Sequence, residues 1–258
     1  MGINRIIWKY TFTVERLPEW ICPTCKKGNL TGNKSNFIIH EDSASKTMLK
    51  ERDWEASWIT GVFTGMIQCN NSKCMEFVAV IGDMSVEEEH VYDDKYDDVE
   101  YVAYEVLKPK IFIPPLQIFD LNDNLPPSIN MYIREAFSLY HVDTSACANK
   151  IRIVVELLMD FYKIKKTIIT SRRKRKRVTL HERIELFKEK FSSEGELLMA
   201  IKWIGNIGSH SIEPLTQDDI LDGFEMLEHV LNKLFEMESK RIKSLGKTIN
   251  KRKGPVKR

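Results

Sequence analysis

The chain has 258 residues, a hydrophobic fraction of 43%, and 39 Lys+Arg against 37 Asp+Glu for a net charge of +2. No stretch approaches the ~18 consecutive apolar residues of a membrane span, and the charged N-terminus lacks the apolar core of a secretory signal, so a cytoplasmic location is expected. Five cysteines, an odd number in a chain without such a signal, argue against a disulfide framework.

The charge balance conceals a division. Residues 1–118 hold 13 basic and 18 acidic side chains, whereas 119–258 hold 26 and 19. Two stretches, 163–177 and 240–258, carry nine basic residues each and no acid. The remaining body is acidic, and the composition shifts near residue 118.

Residues 1–118 favour strands and turns. WITGVFTGMIQC (58–69), EFVAVIGDMS (76–85) and VEYVAYEVLKPKIFIPP (99–115) are rich in β-branched and aromatic residues and punctuated by Gly and Pro. Within this half, Cys22-Pro-Thr-Cys25 and Cys69-Asn-Asn-Ser-Lys-Cys74 form two short pairs, each beside turn-forming residues. Thiolates at such spacings suit a tetrahedral structural zinc ion, which would hold together a small sheet with a thin core. The rival is a thioredoxin-like redox pair at Cys22 and Cys25. It lacks a surrounding βαβ pattern and leaves Cys69 and Cys74 without a role. Residues 87–105 are strongly acidic and are expected to form a solvated loop, or a dock for a basic partner.

After residue 118 the apolar period becomes helical. Helices are expected after Pro126-Pro127-Ser128, after Asp143 or Thr144, from Thr179, from Ser193 and from Thr216. Thr179 with Glu182 and Ser193 with Glu196 fit capping boxes, which satisfy otherwise unpartnered helix-terminal N–H groups. Cys147 lies on an apolar helical stretch and is expected to be buried rather than to ligate. Five helices with short connections suggest an antiparallel bundle. The basic stretch 163–177 is expected to be an exposed loop between the second and third helices, and 239–258 a basic disordered tail. The expected class is α+β, with a small zinc-ribbon-like β domain over 1–118 and the helical bundle over 119–238.

AIKWIGNIGSH (200–210) carries the polar motif of this half. Asn206 and His210 are four apart and share a helical face, Lys202 lies one turn earlier, and Gly205 and Gly208 leave room for a neighbouring backbone. Such a pair can form a site at a subunit interface. Equally, His210 can cap the helix, Asn206 can be a satisfied core amide, and the glycines can be packing notches.

WICPTCKKGNL, GMIQCNNSKCMEFVAVIGD, EAFSLYHVDTSACANKIR, LHERIELF and IKWIGNIGSH together resemble the bacterial family called domain of unknown function 4145, over about residues 18–237. The cysteine pairs resemble the zinc-ribbon-like segment that often precedes that domain. The family is similar to the HEPN superfamily of dimerising helical bundles, many of them metal-independent ribonucleases of defence systems. The resemblance implies a homodimer, and a restriction or defence-system protein as partner. The HEPN motif is Arg, a polar residue, three or more residues, then His. Asn206 and His210 match its last two positions, while Gly205 stands at the arginine's place. Lys202, or Arg173 acting in trans, would be the substitutes.

Three functions remain open on these grounds. The first is a HEPN-like dimeric module that contacts RNA or DNA through Arg172, Arg173, Lys174, Arg175, Lys176, Arg177, Lys251, Arg252 and Lys253. The second is a metal-independent ribonuclease with a degenerate motif, using His210, Asn206 and Lys202 as general acid–base and charge-stabilising groups. The third is a zinc-ribbon structural adaptor without a nucleic-acid role.

Overall fold

The computed structural model describes the chain except residues 1, 10, 94–97, 170–173, 211–213, 236 and 256–258; at 91, 93, 98–100, 208–210 and 237–243 it describes the backbone alone. It is mixed α+β, an N-terminal antiparallel sheet followed by a helical region. The chain divides into two units. One comprises Asn4–Ile118 with Phe137–Asp143, and the other comprises Met1–Ile3, Phe119–Ala136 and Thr144–Arg258.

The sheet unit begins with a helical turn, α1 (Ile6–Lys9), then β1 (Leu30–Thr31), β2 (Phe37–Glu41), a short α2 (Ser43–Met48), and three longer strands, β3 (Thr60–Cys69), β4 (Phe77–Asp93) and β5 (Asp98–Ile113). The order is β1-β3-β4-β5, with β2 also pairing with β3, all antiparallel. Strict alternation along β3 turns Gly61, Phe63, Gly65, Ile67 and Cys69 inward. Phe63 meets Phe12 edge-on at 5.7 Å, Phe12 meets Trp20 at 5.2 Å, and Trp20 meets Phe112 at 4.9 Å. These T-shaped pairs make an aromatic core, filled out by buried Ile67, Val78, Val80 and Leu107. The Trp20 indole N–H is satisfied by the Ile7 carbonyl at 3.0 Å.

Much of the acidic stretch expected to be a loop belongs instead to paired strands. Glu87 lies opposite Tyr104, Glu88 opposite Ala103, and Glu89 opposite Val102. The backbone ladder continues because Glu87 and Glu89 face β-favouring Tyr104 and Val102, and two acids stand opposite each other only where Asp93 pairs with Asp98 at the end of the ladder.

In the helical unit, α3 (Pro127–Leu139, whose last turn clusters with the sheet unit) precedes α4 (Thr144–Phe161), a small antiparallel hairpin of β6 (Thr167–Ile169) and β7 (Arg175–Arg177), α5 (Leu180–Lys188), α6 (Ser192–His210), α7 (Gln217–Phe235) and α8 (Met237–Arg252). Helix α4 packs against α5, α6 and α7. It buries Cys147, Ala148, Ile151, Val154, Val155, Leu158 and Met159 on its apolar side. Cys147 is fully buried, and its thiol donates to the Ala136 carbonyl at 3.1 Å. The capping box at Thr179 and Glu182 is present. Thr216 forms a second box with Asp219, each backbone N–H bonded to the other side chain. Where an irregular tail is expected from charge density, α8 forms. Ile242, Leu245 and Ile249 recur there at three- and four-residue spacing among the lysines.

Candidate functional site

The four paired cysteines converge. Cys22 directly follows Ile21, which bridges to Asn29, while Cys69 ends β3 and Cys74 lies in the turn into β4. Leu30 of β1 pairs with Cys69, which brings the first knuckle onto the second. All four sulfurs lie within 4.8 Å of one another. The Cys22–Cys74 separation is 3.8 Å and the Cys25–Cys69 separation 3.6 Å. A disulfide needs about 2.05 Å. A tetrahedron of sulfurs about 2.3 Å from a central ion has edges of about 3.8 Å. The cluster thus has the donor set and spacing to hold a metal ion, with all four tetrahedral positions filled by sulfur.

Local backbone builds this geometry. Lys26 and Met75, each directly after the second cysteine of its pair, adopt left-handed φ values of 55° and 53°. This is the conformation that turns a chain sharply back, and a non-glycine residue holds it at a steric cost. The Lys26 N–H bonds the Cys22 carbonyl at 3.0 Å, and the Met75 N–H bonds Asn71 at 3.0 Å. The Gly28 N–H donates to Cys25 Sγ at 3.4 Å, and the Asn71 N–H to Cys69 Sγ at 3.4 Å. Amides beside a sulfur favour the thiolate, and those of Lys27 and Gly28 bring the Cys25 thiol down to about 6. Burial drives Cys69 the other way, up to about 12. At Cys74 the Glu76 amide lowers the thiol, but burial and the neighbouring sulfurs together leave it raised. Sulfurs this close compete for one negative charge, and a divalent cation removes that competition.

The polar motif of the helical unit is partly assembled. Lys202 and Gly205 are buried on α6 and Asn206 is half-buried. The backbone of His210 ends α6, and its side chain lies outside the described residues. Burial, and then Arg152, hold the Lys202 amine below the usual range, and its Nζ lies 3.3 Å from the centroid of the Trp203 ring. Gly205 is a close-approach point between α6 and α4. A Cβ there would stand 2.6 Å from Arg152 Cβ and 3.2 Å from the Ala148 carbonyl. Arg152 therefore lies against the position at which the motif resemblance places an arginine.

The basic segments are exposed where described. Lys174, Arg175, Lys176 and Arg177 run along the β7 side of the hairpin, and Lys251, Arg252 and Lys253 lie at the end of α8. Arg172 and Arg173 lie outside the described residues. Lys176 is paired with Glu182 at 2.7 Å.

A further group is absent from the sequence reading. Arg152, Glu156 and Asp160, spaced by four on α4, line a cavity of about 430 Å³ with Lys166, Arg177 and Arg183. Those three charged residues at helical spacing on one face of α4 are the signal that could have found it.

Residues 134–252 match the family model described as domain of unknown function (DUF4145). Residues 10–112 match a different model, domain of unknown function (DUF8608). The sheet half thus has a family match of its own, and the DUF4145 match runs on into the basic segment. No curated protein and no solved structure matches the chain.

Proposed function

We propose that the chain is a HEPN-like dimeric binding module of bacterial defence or nucleic-acid metabolism that contacts RNA or DNA through its basic segments. The observation that carries this is the exposed cationic hairpin at Lys174–Arg177, with Lys251, Arg252 and Lys253 exposed at the end of α8. Clustered cations of this kind gain affinity by releasing counterions from phosphate backbones. The ion held by Cys22, Cys25, Cys69 and Cys74 is zinc, in a structural role, and a reducing cytoplasm keeps those thiolates available. Trp203 and Ile207, one turn apart on the α6 face beside Asn206, are 52% and 45% exposed. Apolar side chains so placed suit a subunit contact.

The test is binding of labelled single-stranded RNA and duplex DNA against salt. Affinity at low salt should fall linearly on a log–log plot. Lys174→Ala with Arg175→Ala should flatten the slope by about 2. Absence of affinity for either nucleic acid at low salt overturns the proposal.

A second reading, a HEPN ribonuclease with a degenerate motif, is favoured by Arg152 lying against Gly205. It requires RNA cleavage without added metal that is lost in His210→Ala; intact RNA after prolonged incubation rejects it.

A further inference from the structure

We infer that the cavity bounded by α4, the β6–β7 hairpin and the N-terminus of α5 is a binding site for a phosphate monoester. It shares Arg177 with the nucleic-acid surface proposed above, but it stands on the cavity rather than on that surface.

Four cations, Arg152, Lys166, Arg177 and Arg183, line it with two carboxylates, Glu156 and Asp160. Asp160 is already engaged by Arg183 at 2.6 Å and by Lys166 at 2.7 Å. Among the described residues, Glu156 meets Arg152 at the longer distance of 3.5 Å. The excess of two positive charges matches a phosphate monoester dianion. A monocarboxylate would leave one charge unmatched, and a cationic ligand would be repelled.

The donors are also built for an oxyanion. The Arg183 side chain is only 7% exposed. Its Nη2 is satisfied by Asp160 and by the Ile164 carbonyl at 3.1 Å, whereas its Nε is buried without an acceptor among the described residues. Arg152 Nε is likewise buried, with no partner among the described residues. Buried guanidinium N–H groups without acceptors are unfavourable, and phosphate oxygens are their natural partners. Val178, Thr179 and Leu180 place the start of α5 in the cavity wall. Thr179 caps the Glu182 amide, which leaves the first-turn amides of Leu180 and His181 without intrahelical acceptors. These amides and the positive end of the helix add to the same field. The volume of about 430 Å³ falls within the range of small-ligand sites.

The phosphate could belong to a free mononucleotide or to the 5′ end of a nucleic acid, and calorimetric titration of the full chain separates the two. Inorganic phosphate and 5′-AMP should compete for one site, and adenosine should not bind. Arg177→Ala, an exposed change, should weaken 5′-AMP several-fold, and Arg152→Gln, which keeps the side-chain stem against Gly205, by about tenfold or more. Tighter binding of a 5′-phosphorylated RNA than of its 5′-hydroxyl twin assigns the site to nucleic-acid ends. Equal binding of the two RNAs, with 5′-AMP bound, assigns it to free nucleotides. The inference is overturned if phosphate and 5′-AMP fail to bind at millimolar concentration, if adenosine binds as well as 5′-AMP, or if both variants bind like the parent. RNA binding without phosphate binding removes only this site, and phosphate binding without RNA binding removes only the nucleic-acid proposal.

Discussion

Gly28→Ala tests the four-cysteine cluster, and the ion proposed for it, without replacing a cysteine. The added Cβ would stand 2.6 Å from Cys69 Sγ and 2.8 Å from both Asn70 Oδ1 and Asn71 Cβ. None of these neighbours yields easily. Cys69 is fixed by its N–H bond to the Glu76 carbonyl at 2.8 Å, and Asn70 by paired bonds with Asn29 at 3.0 and 2.9 Å. Ordinary contact therefore requires a shift approaching 1 Å in the sulfur tetrahedron or in the Gly28 turn. Overpacking of this kind costs about 1–3 kcal/mol. For a unit near a hundred residues that is a fall in Tm of about 4–12 °C. If the same strain is felt only in the metal-loaded state, affinity for the ion drops by about 5- to 150-fold. Thermal unfolding by circular dichroism, with metal retention measured by mass spectrometry after graded chelator, reads both effects. Gly246→Ala is the control, since nothing lies within 4 Å of a Cβ there. A Gly28→Ala protein with the parent Tm and the parent chelator midpoint would show that this turn does not shape the cluster.

Three further outcomes follow from the packing. His141 lies against Tyr140 and Phe112 with its Nε2 buried and unpartnered; burial, and then Lys108, bring its imidazole down to about 4. The unfolded state takes up a proton below about 6.5 while the folded state resists until about 4, so stability is complete above the first value and lost as pH falls towards the second. Urea unfolding should show about 1.4 kcal/mol less stability at pH 5.5 than at 7.5 from this group, and a His141→Phe variant with the same pH dependence as the parent would refute it. Gly205→Arg should destabilise the helical unit by about 1–3 kcal/mol because Arg152 already fills that space; a parental Tm would contradict this. Trp203→Glu should turn a dimer into a folded monomer in sedimentation, and a parent that is already monomeric removes the dimer from the proposal.

The sequence was most readable where one local rule governs. Cysteine spacing marks the cluster, and Thr179 with Glu182 marks the start of α5. On α4, Ile151, Val154, Val155 and Leu158 are buried as their periodicity implies, but Phe161, on the same apolar side, is half exposed in the last turn. Apolar spacing along α7 points Leu234 inward, but in the last turn Phe235 is buried and Leu234 only half-buried. Helix ends answer to neighbours rather than to period. The acidic strands were hidden because charge density masks β propensity, and their pairing is fixed only by the partner strand. The α4 cavity was hidden for a related reason, since Lys166, Arg177 and Arg183 join the stripe on α4 through contacts that spacing does not encode.

The separation of the two knuckles also sets a timetable for the growing chain. Cys69 follows Cys25 by 44 residues. At about 5–20 residues per second, synthesis leaves the first pair waiting about 2–9 s for the second. Throughout that interval Cys22 and Cys25 stand as a dithiol on a nascent polypeptide, without the two sulfurs that meet them in the folded chain. A cluster that holds the proposed zinc ion is thus most vulnerable to oxidants, and to the wrong ion, before the fold around it exists.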